Sequence, residues 1–141
     1  MTTGKQTPPY ELEFYRDENG REVVREWLRS LSLTQRQVLG AAMNAVLQHK
    51  GIGVCGSEFG RQLGGGLFEF RVRLDPKTVS EERGLPPEKI LIRVFCHAHG
   101  ERLVLLLGGY DKARDPSPKR QNSEIEQARH RLAAWKRRTS G

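Results

Sequence analysis

Two segments of this chain alternate between apolar and charged residues in the same phase, and that pattern restricts the possible folds more than any other feature. In Leu67–Leu74 the even positions are Phe68, Phe70, Val72 and Leu74, and the odd ones include Glu69, Arg71 and Arg73. In 90–97 the even positions are Ile90, Ile92, Val94 and Cys96, while Arg93 and His97 fall among the odd ones. Successive side chains on a strand point to opposite faces. Two such strands side by side make a sheet with one greasy face and one face of guanidinium groups. The greasy face needs a helical cover. Arg71, Arg73, Arg93 and His97 are then expected to share the exposed face.

The cover is legible elsewhere. Asn19 with Glu22 reads as a capping box, followed by Val23, Val24, Trp27, Leu28 and Leu31 at helical spacing. Ser32 with Gln35 repeats the signal ahead of a stripe of Val38, Leu39, Ala42, Ala45 and Val46, which Gly51 stops. A helical hairpin is expected. Upstream, residues 10–15 alternate like a half-buried strand, and 1–9 read as a flexible lead-in. Residues 51–66 hold seven glycines and read as a loop. A Pro-rich loop spans 75–89, and Ala98–Glu101 is turn-like, with His97 and His99 read as turn residues. Leu103 to Gly109 then returns as a strand. Asp115-Pro116-Ser117-Pro118 reads as a breaker, and Ser123 with Glu126 as the cap of a last helix whose inner face carries Ile125, Ala128, Leu132 and Trp135. Residues 139–141 are expected to fray.

The order β-α-α-β-β-β-α implies one α+β domain over 1–141, a small antiparallel or mixed sheet with helices on one face. At 141 residues there is room for one domain. Twenty-four basic against 17 acidic residues give a net charge of +7, which favours anionic partners: nucleic acid, a membrane surface or an acidic protein. Two unpaired cysteines, Cys55 and Cys96, exclude a disulfide scaffold. No signal region or run of 18 apolar residues occurs, so a cytoplasmic protein with no membrane partner is expected. Gly51–Gly56 satisfies G-x-G-x-x-G, but it follows a helix and opens none, so it is not read as a dinucleotide loop. No metal site and no cofactor are expected; Cys96 and His97 point to opposite strand faces and make poor joint ligands.

Four short runs, in order, resemble one family. Gln62–Arg71 is similar to the "L-x-x-G-L-x-E-L-R" signature of phage-derived HigB-like toxins of the RelE/ParE superfamily. Ile92-Arg93-Val94-Phe95 resembles its "Y-R-V-L-Y" strand, Val104–Lys112 its "I-V-L-L-H-G-F-x-K-K" run, and Glu124–Ala128 its "E-I-E-x-A". Asp111 stands where the family has the first lysine of the pair. The resemblance implies a RelE-like sheet with two N-terminal helices and a C-terminal helix, belonging to the toxin of a type II toxin–antitoxin system. It implies an mRNA interferase, a metal-independent endoribonuclease that acts on mRNA at the ribosome and is neutralised by a cognate antitoxin, often a helix-turn-helix DNA-binding protein. The matching positions are Glu69, Arg71, Arg93, Tyr110 and Lys112.

RNA cleavage without metal requires in-line attack by the 2′-hydroxyl, neutralisation of the phosphorane oxygens and two proton transfers. Arg71, Arg73 and Arg93 are the candidates for charge stabilisation. Tyr110 or His97 is expected to move protons, and Lys112 to assist the phosphate or the leaving group. Arg71, Arg73, Arg93 and His97 are also expected to bind RNA, and Glu69 is placed with them or else orients a neighbouring arginine. The basic stretch His130 to Arg138 reads as a solvated helix cap or a dock for an acidic antitoxin segment. Two other readings stand beside the nuclease: a ParE-like, non-catalytic inhibitor of a protein such as DNA gyrase, and a non-toxic relative that only binds RNA or a transcription regulator.

Overall fold

A computed structural model describes residues 9–74 and 89–140. The lead-in up to residue 8 and the Pro-rich stretch 75–88 lie outside the described residues. The elements are β1 (Glu11–Phe14), α1 (Val23–Ser30), α2 (Leu33–Ala42), β2 (Gly60–Gly64), β3 (Leu67–Leu74), β4 (Ile90–His99), β5 (Leu103–Asp111) and α3 (Pro118–Ser140). The helix of α2 runs on through a π-helical stretch, Met43–Leu47, and one α turn, Gln48–Lys50, into a 3-10 segment, Gly51–Gly56.

The five strands form one mixed sheet in the order β1-β5-β4-β3-β2. Only β1 is parallel to its neighbour, β5; the remaining pairs are antiparallel. An α+β fold with a mixed sheet is therefore present. The expected greasy face exists: Phe68, Phe70, Val72, Ile92, Val94 and Cys96 form one core with Val24, Leu31, Val38, Leu39 and Leu47 of the hairpin.

The expectation of helices on one face is not met. A second core on the opposite face joins Leu67, Phe95, Leu105, Leu107 and Tyr110 to Ala128 and Leu132 of α3, with Ile125 and Trp135 packed against it. The reason lies in residues that the charged pattern masked. Leu67 and Phe95 are odd-phase and apolar, and burying each such side chain contributes about 1.5–3 kcal/mol. The stripe on α3 needs an apolar partner, and the hairpin already occupies the other face.

Local signals account for most boundaries. The Ser32–Gln35 capping box forms in both directions, Gln35 N donating to Ser32 Oγ and Ser32 N donating to Gln35 Oε1. The two other capping boxes do not form. Asn19 sits in a turn in which Asp17 Oδ1 accepts from the amides of Asn19 and Arg21, and α1 starts at Val23. The last helix starts at Pro118, five residues before Ser123, because Ser117 Oγ accepts from Arg120 N and Pro118 occupies the first helical position. It continues through Ser140.

Three other expectations are corrected. The π-helical stretch adds a residue to its turn, which moves the buried stripe from Ala45, exposed here, to Leu47, fully buried. His97 and His99 belong to β4 and not to a turn. The glycine-rich loop contains the 3-10 segment and the edge strand β2, which reaches β3 through Gly64, Gly65 and Gly66 at positive φ, a conformation that L side chains avoid.

Candidate functional site

The site is assembled by strand register. Arg71 of β3 pairs with Arg93 of β4, which pairs with Tyr110 of β5, so the three lie in one row across adjacent strands. Strict alternation through β5 places Tyr110 on the hairpin face, together with Val104 and Leu106. A bulge prevents this: Phe95 pairs with Gly108 but Cys96 with Leu106, leaving Leu107 extra. The inserted residue reverses the phase and turns Tyr110 toward Arg93. Arg131 of α3 holds the bulge, its Nη1 donating to the Leu107 carbonyl at 2.8 Å.

At the centre lies Glu69, with no exposed surface. Its carboxylate accepts from Arg71 Nε at 3.0 Å and from Gln121 Nε2 at 3.2 Å, and it is ion-paired with Arg93 Nε at 3.5 Å and Arg61 Nε at 3.8 Å. A buried carboxylate is tolerated only when its charge is matched and its lone pairs are occupied, and this one meets both conditions. Glu69 thus orients arginines from within the fold; the placement of this residue in contact with RNA is corrected.

The arginines differ in access. Arg93 is 9% exposed, and burial pushes its guanidinium below the ordinary arginine range, with Glu69 opposing the shift. The Arg71 side chain is 31% exposed, and Arg73 is exposed. Arg71, Arg73 and Arg93 nevertheless open into one cleft of about 250 Å³, whose remaining lining is Glu58 and Phe59. Lys112 stands at the far flank, where its Nζ donates to Gln121 Oε1 at 3.5 Å, so that Gln121 links it to Glu69. Burial, followed by the Arg93 charge, lowers the Lys112 pKa.

Two expected proton carriers are displaced. Tyr110 is fully buried: its ring stacks on Phe95, and the Arg120 guanidinium lies 5.4 Å from the ring centroid. Its hydroxyl has no hydrogen-bond partner among the described residues, and burial followed by the Glu69 charge raises its pKa, which disfavours a role as base. His97 shares the face but lies four residues along β4 from Arg93, about 13 Å at the extended rise. There its Nδ1–H donates to the Gly66 carbonyl at 2.8 Å and its ring meets the edge of Trp135. It is not part of the arginine cleft.

Glu58, Phe59, Arg61, Arg120 and Gln121 were not anticipated. Glu58 and Phe59 sit in a glycine-rich stretch with no strand period, and Gln121 preceded the expected start of the last helix. The Ser117-Pro118 pair was the available signal for Gln121. Asp111 faces the hairpin side, accepting from Gln35 Nε2 at 2.7 Å and from the Ala113 amide at 3.0 Å. Part of the basic helix end is engaged internally, with Arg138 Nη2 donating to Tyr15 Oη at 3.0 Å. No helix among the described residues is long and apolar enough to cross a membrane.

Comparison with known protein families finds no family model that matches the chain, and comparison with curated proteins finds no match.

Proposed function

We propose that this chain is a toxin of the RelE/HigB type, an endoribonuclease that cuts mRNA by attack of the 2′-hydroxyl and is held silent by an antitoxin. The observation that supports it best is the row Arg71–Arg93–Tyr110, which with Arg73 directs three guanidinium groups into one cleft over a buried carboxylate. Guanidinium forks match phosphate oxygens, and a preorganised set of them stabilises charge developing on a phosphorane. In this reading Arg71 and Arg73 hold the non-bridging oxygens from the open side. Arg93 supplies charge from the floor of the cleft.

Proton transfer falls to groups other than Tyr110 and His97. Glu58 is the carboxylate that lines the cleft, and it makes no ion pair among the described residues, so it is the acceptor available to the 2′-hydroxyl. Lys112, on the other side of the arginine row, is the donor for the departing 5′-oxygen. Base and acid on opposite flanks of the phosphate suit an in-line displacement. The O2′–P bond forms as the P–O5′ bond breaks, leaving a 2′,3′-cyclic phosphate and a 5′-hydroxyl. Tyr110 backs Arg93 and does not touch the reacting atoms.

The test is to add the protein to translating ribosomes and map mRNA 5′ ends. New cuts are expected, and Arg71→Ala and Arg93→Ala each abolish them. RNA affinity should fall with salt, the slope shrinking by about 0.7 in Arg71→Ala for one lost contact to a single strand. Intact mRNA refutes the nuclease. Intact mRNA together with blocked DNA supercoiling supports the gyrase-directed inhibitor instead.

A further inference from the structure

The cleft has an aromatic wall beside its cationic one. Phe59 is half-buried: it packs against the hairpin-side core, and its remaining surface lines the same space as Arg71, Arg73 and Arg93. Its position is fixed by a hydrogen-bonded turn: Ser57 Oγ donates to the Val54 carbonyl at 2.8 Å and accepts from Phe59 N at 3.2 Å, and Gly60 N donates to the Ser57 carbonyl at 3.4 Å. The Phe59 carbonyl then accepts from Arg71 N at 2.8 Å, which locks ring and guanidinium to one backbone register. Gly60 is required for this seat, since a Cβ there meets Val54 side-chain and backbone atoms at 2.6–2.8 Å. An aromatic ring adjoining three guanidinium forks has the two halves of a nucleotide site, a π-face for the base and charge for the phosphate.

We propose that Phe59 is the stacking platform of a subsite that holds one unpaired nucleotide, with its base on the ring and its phosphate on Arg71 and Arg73. The subsite deepens the nuclease reading and shares its cleft. The cleft offers about 250 Å³ beside the ring and the guanidinium groups. A base inside a duplex has both faces covered by its neighbours and cannot reach the ring. The subsite is therefore selective for single-stranded nucleic acid, and it tolerates every base because each has a π-face.

The test uses the intact protein at low ionic strength and compares adenosine 5′-monophosphate, ribose 5-phosphate and inorganic phosphate by calorimetry or NMR titration. Adenosine monophosphate is expected to bind about tenfold or more tighter than ribose 5-phosphate, the fold-change of one base stacked on an aromatic ring. Phe59→Ala removes that advantage, Phe59→Trp restores it, and Arg71→Ala weakens all three ligands. Thermal melts of each variant separate loss of binding from loss of fold. Equal affinity for adenosine monophosphate and ribose 5-phosphate overturns the proposal, as does an adenosine advantage that survives in Phe59→Ala. Nucleotide binding with these properties beside uncut mRNA upholds the subsite and refutes the nuclease; cut mRNA with no base-dependent binding does the reverse.

Discussion

Replacing Glu69 with glutamine keeps the shape of the side chain and removes the charge on which the site is organised. The cost follows from the exposure of each partner. Arg61 is 52% exposed at 3.8 Å and Arg71 31% exposed at 3.0 Å, so water screens much of what each gains, about 0–1 kcal/mol apiece. The Arg93 side chain is only 10% exposed, and its Nε has no hydrogen-bond partner among the described residues apart from the 3.5 Å ion pair with Glu69. Removing one member of a buried pair leaves the other charge uncompensated, at about 3–5 kcal/mol. Glutamine retains an oxygen that accepts from Gln121 or Arg71, which places the expected loss near the lower end, about 3 kcal/mol. For a domain of this size that lowers the melting temperature by about 10 °C. Urea and thermal unfolding, followed by circular dichroism and by the fluorescence of Trp27 and Trp135, measure it. The double variant Glu69→Gln/Arg93→Met should be more stable than Glu69→Gln alone, because the stranded guanidinium is gone. A Glu69→Gln protein within about 0.5 kcal/mol of the parent, the range of ordinary surface substitutions, refutes the view that this carboxylate carries the burial of Arg93.

Other outcomes follow from the same packing. A Cβ at Gly109 runs into the Trp27 ring and approaches the Arg93 carbonyl at 3.0 Å, so Gly109→Ala is expected to cost about 1–3 kcal/mol by overpacking, with a shift in Trp27 fluorescence; unchanged urea midpoint and fluorescence sink that expectation. Burial, partly offset by the bond to the Gly66 carbonyl, holds His97 below the ordinary imidazole value near 6.5. The unfolded chain then takes up a proton first, so stability is complete above that value and declines as pH falls below it. His97→Gln should flatten this acid limb, and an unaltered pH profile of urea stability rules the mechanism out.

Periodicity was enough to read the apolar face that packs on the hairpin. Phe68, Phe70, Val72, Ile92, Val94 and Cys96 had to pack on something, and the stripe of Val38 and Leu39 behind the Ser32–Gln35 box was the natural match, because side-chain direction on a strand or helix follows from local geometry. The alignment of Arg71 with Arg93 on one face was legible for the same reason. Whether that face met water was not, since it depends on where α3 returns, a matter of packing between residues far apart in the chain. The site took its form from two non-local choices. An extra residue at Leu107, tied to Arg131, turned Tyr110 toward Arg93 but sealed it in. An edge strand built from a glycine-rich segment brought Glu58 and Phe59 beside the arginines. Bulges and edge pairings carry no period of their own, and their stability comes from neighbours that only the folded chain supplies.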